Sequence, residues 1–260
     1  MRRAVTATVL AACLAVPAAA QMETFSVDEI KAAQADPGKY TLDETSLQIE
    51  NLGPVMTPTE ILPPPPSGGD NVIPILHEIL NLGQRLWAII EANRPVVDVQ
   101  NTYASALPKG LEHWGDLEGW QIPKGTAYRL TAKNMYGMTM VDVKYQVLRT
   151  YGGSYKGKGK YLTAVTVEPL GVDELSGYRF NLTAAVPDTS VVNVGTTENP
   201  VAAMMPTLTW RIRTVIKDST GKSVYYVAGD GSMREVGGPF KRDSLGAVAQ
   251  SLSKELNFDR

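Results

Sequence analysis

The sequence predicts a mainly β fold: an antiparallel β-sandwich of Ig-like or jelly-roll type, with one long N-terminal flanking helix and a short C-terminal helix. Three observations predict it. Apolar and polar side chains alternate from about Val96 to Val236, the rhythm of strands buried on one face. Clusters of Gly, Pro, Asn, Asp and Ser separate these stretches, with no helical pattern between them. The single cysteine, Cys13, lies in the first twenty residues, so the rest of the chain is expected to hold itself by a hydrophobic core rather than by disulfides.

Residues 1–20 read as a signal peptide. A basic Met1-Arg2-Arg3 start precedes the apolar run Ala4 to Val16, and Ala18-Ala19-Ala20 supplies small residues before Gln21. Export to the periplasm or the extracellular space follows, with Gln21 as the first mature residue. A second reading takes Leu10-Ala11-Ala12-Cys13 as a lipoprotein box. Only lipidation at Cys13 would then put the protein in contact with a membrane.

Residues 21–52 form an N-terminal helix and strand segment. Ser26 and Glu29 have the spacing of a capping box, Phe25 and Ile30 that of a hydrophobic staple, and Asp36-Pro37-Gly38 stops the helix. Weak alternation from Tyr40 to Leu52 predicts one short strand. Residues 53–70 are a Pro/Gly-rich linker built around Pro63 to Pro66.

Residues 71–95 read as a long amphipathic helix. Leu76, Ile79, Leu82, Leu86 and Ile90 fall at helical spacing, opposite His77, Asn81, Gln84 and Glu91. Its broad apolar face would pack on the β domain or on a second copy of itself, making a homo-oligomer.

The β-sandwich domain spans residues 96–240, with about eight strands. Tyr128, Leu130 and Ala132 share one face, as do Val141, Val143, Tyr145 and Val147. The same holds for Phe180, Leu182 and Ala184, and for Leu208, Trp210 and Ile212. Tyr151 to Tyr161 reads as a long hairpin loop, Asp218 to Gly221 as a turn, and Ala228 to Ser232 as a tight turn. Residues 241–260 are a C-terminal helix with Leu245, Val248, Leu252 and Leu256 on one face.

The chemistry is thin. Lys and Arg number 25 against 27 Asp and Glu, and a signal carrying Arg2 and Arg3 makes the mature chain more acidic still. That balance predicts no nucleic-acid partner. Two distant histidines, His77 and His113, and no mature cysteine argue against zinc and against a Ser-His-Asp triad. No Walker or Rossmann loop precedes a helix, and Asp230 alone is too little for calcium. The sequence therefore predicts no metal, no cofactor and no enzyme.

Two clusters stand out as candidate sites. The loop carrying Glu112, His113, Trp114, Asp116 and Trp120 could stack on a sugar and bind its hydroxyls, or plug the core. Tyr155, Lys156, Lys158 and Lys160 interleave aromatic and basic side chains and could meet a polyanion. The expected function is an exported, non-catalytic envelope or extracellular binding or assembly module, with a glycan or an envelope protein as partner. The alternatives are a carboxylate-based glycan hydrolase using Glu112, Asp116, Glu118, Asp173 or Glu174, and a small β-barrel, either in the outer membrane or carrying an apolar ligand.

Overall fold

A computed structural model describes residues 25–55, 73–96, 102–111, 114–173 and 177–239. The signal peptide, linker residues 56–70, the C-terminal helix, Glu112, His113 and Glu174 lie outside the described residues. Within them the protein is mainly β, with two antiparallel sheets, one curled into a half-barrel, and one α-helix, α1 (Val27–Ala35).

Helix α1 begins as its sequence dictates. Glu29 N donates to Ser26 Oγ at 3.2 Å, and Ser26 N donates to Glu29 Oε2 at 2.8 Å, closing the expected capping box. Glu29 also accepts from Arg179 Nη2 at 2.8 Å, tying the helix to the second sheet.

The first sheet has six strands in the order β1 (Leu42–Val55), β6 (Lys124–Asn134), β7 (Thr139–Tyr155), β8 (Lys158–Val172), β5 (Ala104–Lys109) and β2 (Ile75–Asn81). The second runs β10 (Val192–Asn193), β11 (Ala202–Met204), β13 (Asp218–Ala228), β12 (Thr207–Arg213), β9 (Arg179–Ala185), β3 (Leu86–Glu91) and β4 (Arg94–Pro95), with β14 (Met233–Gly237) also paired to β13. Past β14, Pro239 O accepts from Ile49 N at 2.7 Å, so the second sheet returns to the edge strand of the first.

One hydrophobic cluster takes residues from both sheets. Tyr128, Leu130, Val141, Val143, Tyr145 and Val147 enter it from the first sheet, and Phe180, Leu182, Leu208, Trp210 and Ile212 from the second. These are the faces that the alternation predicts. A side chain alternates at every residue of a strand, so one buried residue sets the face of the whole strand.

Residues 71–95 depart from the expected helix. The chain there forms β2, crosses between sheets at Leu82–Arg85, and continues as β3 and β4. Of the supposed apolar face, Leu82 and Leu86 are 40% and 64% exposed and Ile90 is buried, while Asn81 of the supposed polar face is buried too. Gly83 sits at the crossing because a Cβ there would lie 2.3 Å from Tyr103 O. Helical spacing and short apolar runs overlap in so brief a window, and pairing with β5 and β9 decides the outcome.

Two turns also move. Tyr151 to Tyr161 is not a long loop: β7 and β8 continue to a two-residue turn at Lys156-Gly157, both with positive φ, as a tight hairpin requires. Asp218 to Gly221 lies inside β13, and the turn before it is closed by Thr214 N donating to Lys217 O at 2.8 Å. Gly221 is a packing glycine, since a Cβ there would stand 2.1 Å from the Trp210 ring.

On the face of β7 opposite the core, Gln146 is buried and its Nε2 donates to Glu168 Oε2 at 2.9 Å, while Gln146 Oε1 has no partner. Burial holds the Glu168 carboxyl above its ordinary value, against the hydrogen bond from Gln146. A raised carboxyl favours the fold when protonated, and that contribution is lost as pH rises through its folded value. Glu168→Gln should therefore stabilise the protein by about 1 kcal/mol at pH 7, because it removes a half-buried charge and supplies a donor for Gln146 Oε1. The gain should vanish at acid pH, where Glu168 itself is protonated. Urea unfolding at both pH values reads it, and an equal gain at both would show that ionisation is not the cause.

Candidate functional site

Alternate positions of β7 carry Val141, Val143, Tyr145, Val147 and Arg149 onto the core face. The interior becomes polar toward the hairpin end of this strand. Tyr145 Oη and Tyr225 Oη lie 2.7 Å apart, and the Tyr128 ring stacks on Tyr145 at 5.6 Å and tilts against Tyr225 at 4.8 Å. Burial raises all three phenols well above their ordinary value, and the nearby Glu235 carboxylate raises them further. They stay protonated at neutral pH and act as hydrogen-bond donors inside the core.

Beyond them lies an aromatic end. The Trp114–Asp116 turn and the segment to Gln121 lie along the last part of β7. Glu118 and Ser154 exchange backbone hydrogen bonds at 2.9 and 2.8 Å, and Gln121 N donates to Tyr151 O at 2.9 Å. This places the Trp120 ring directly over Gly153, where a Cβ would come within 2.4 Å of it. Trp114 meets Trp120 edge to face, with centroids 6.5 Å apart, and Trp120 Nε1 donates to Trp114 O at 3.2 Å. Trp114, Trp120, Tyr151 and Tyr155 are all partly buried and packed against the core. Two cations cover tyrosine faces: Lys124 Nζ is 4.7 Å from the Tyr151 ring and Lys156 Nζ 5.1 Å from the Tyr155 ring.

The structure thus joins two clusters that are separate in sequence, the tryptophan loop and the basic hairpin. Asp116 and Glu118 are exposed beside the tryptophans. Lys158 and Lys160 are exposed on β8, and Lys160 is fixed through its backbone, its N donating to Pro200 O at 2.9 Å. Among the described residues, no three His, Cys, Asp or Glu side chains gather as a metal site.

Sequence reasoning missed Lys124, Arg149 and the three-tyrosine cluster. A signal for Arg149 was present: it continues the alternation of Val141 to Val147, so a charged residue falls on an apolar face. The tyrosine cluster joins β6, β7 and β13, and only strand order could reveal it. No family model matches this chain, and neither a curated protein nor a solved structure does so.

Proposed function

We propose that this protein is an exported, non-catalytic binding module of the envelope or extracellular space that takes a glycan across Trp114, Trp120, Tyr151 and Tyr155. The observation that carries the reading is the half-buried, edge-to-face tryptophan pair held on β7 beside exposed carboxylates. Aromatic rings fixed by packing offer flat apolar faces to sugar rings at little entropic cost, while neighbouring carboxylates accept from hydroxyls. We also infer that the two sheets pack as a sandwich, because one cluster draws on both. An experimental structure with strands paired continuously around the core would replace it with a closed barrel.

Tryptophan emission tests the binding reading. Trp87 and Trp210 are buried, so a ligand on the aromatic end should change only the emission of Trp114 and Trp120. Protein recovered from the periplasm or medium without detergent is titrated with neutral, N-acetylated and uronic-acid oligosaccharides. Saturable quenching by one class, lost in Trp114→Ala, is expected. No response to any class would overturn the glycan reading, and failure to recover the protein outside the cytoplasm without detergent would overturn export.

A further inference from the structure

We propose that Arg149 and Lys124 form a binding site for an oxyanion at the hairpin end of the core. This proposal does not rest on the glycan reading. Arg149 is 6% exposed, and a guanidinium stays charged in proteins. Its contacts are all to neutral atoms: Nη1 reaches Met233 Sδ at 3.1 Å and Thr126 Oγ1 at 3.4 Å, and Nη2 reaches Gly231 O at 3.2 Å. A thioether is a weak acceptor, and a hydroxyl at 3.4 Å is a long one. Arg149 Nε is buried with no partner.

Four other arginines are treated differently by this fold. Arg85, Arg129, Arg179 and Arg211 each pair with a carboxylate, on Asp188, Asp142, Glu29 and Asp218, although their side chains are 20–65% exposed. Among the described residues, no carboxylate pairs with Arg149. A buried cation without a counter-charge is costly and needs compensation. Burial accordingly pulls the guanidinium below its ordinary value.

The geometry supplies the rest of a site. Lys124 faces Arg149 across the β6–β7 pair and is exposed. Its ammonium rests on Tyr151, whose ring packs against Gly231. Nε and one Nη make the flat two-donor edge that a carboxylate or phosphate accepts side by side. Met233, partly buried with its Sδ against Nη1, has an unbranched side chain that can turn aside. An oxyanion on the Nε–Nη2 edge gains the Nε donor beside the Nη2 that reaches Gly231 O, and comes within the field of Lys124.

Thermal unfolding in inorganic phosphate and in acetate, at ionic strength held constant with sodium chloride, tests the proposal. A saturable rise in Tm of roughly 2–4 °C is expected at a few times the Kd, and it should be absent in Arg149→Met. No saturable rise with either anion overturns the proposal, as does an equal rise in Arg149→Met. Should that variant not fold, Lys124→Gln carries the test at an exposed position. Half-saturation at several-fold higher anion is then expected, and an unchanged value overturns the proposal. A uronic-acid oligomer acting at far lower concentration than acetate identifies the anion as a group carried on a larger ligand. Equal concentrations identify it as free in solution.

Discussion

Phe180→Ala is expected to lower the stability of this protein by about 3–5 kcal/mol, the cost of emptying a large aromatic site in a core that cannot close around it. Phe180 is fully buried on the core face of β9. That strand is flanked on both sides, opposite Ile212 of β12 and beside β3. Its backbone is also pinned: Phe180 N donates to Asn93 Oδ1 at 2.6 Å, and Asn93 N donates to Phe180 O at 3.1 Å. With the strand held from both edges, the sheet has little freedom to sink into the void, which keeps the penalty near the top of its range. Leu86→Ala is the matched comparison. Leu86 lies on β3 of the same sheet but is 64% exposed, and its loss should stay within about 0.5 kcal/mol. Urea unfolding followed by tryptophan fluorescence measures both. Similar losses for the two variants would mean that the core face of the second sheet has been misassigned.

The contrast between these two residues shows how far the sequence could be read. β9 and β12 were legible because each places three apolar residues at alternate positions, and a one-residue error would bury Arg211 or Asn181 instead. The capping box of α1 was legible because it is local, Ser26 and Glu29 acting on one another three residues apart. Residues 71–95 were not. Leu76, Ile79, Leu82, Leu86 and Ile90 satisfy a helical period by coincidence of two short strands and a crossing, and the information that separates the readings lies in β5 and β9. Gly221 misled for a related reason. A glycine beside Asp, Ser and Thr has the composition of a turn, but its cause here is the Trp210 ring on the neighbouring strand. In the candidate site, Trp114, Trp120 and Tyr155 were visible as residue types. That they share one end of the molecule was not, because it depends on the segment before β6 lying along the end of β7.

Gly229→Val should cost about 3 kcal/mol, at the upper end of overpacking penalties, and should disturb the aromatic end before the rest of the fold. A Cβ on Gly229 would lie 2.1 Å from Lys160 O and 2.6 Å from Lys160 C, backbone atoms of β8 in the other sheet. Neither side has an easy retreat. Gly229 N donates to Ala202 O at 2.7 Å, Gly229 O accepts from Gly152 N at 3.0 Å, and Lys160 N donates to Pro200 O at 2.9 Å. The second and third of these bonds sew the two sheets together, so relieving the clash means breaking at least one of the three. Gly171→Ala is the comparison, since it lies on β8 with nothing near its Cβ position, and removing a glycine from an open site is neutral or slightly stabilising. Urea unfolding gives the two stabilities, and tryptophan emission in the folded baseline reports on Trp114 and Trp120 before global unfolding begins. A Gly229→Val protein with wild-type stability and unchanged emission would mean that the two sheets do not meet here. The tryptophan loop and the buried Arg149 would then lose the shared frame that makes them neighbours.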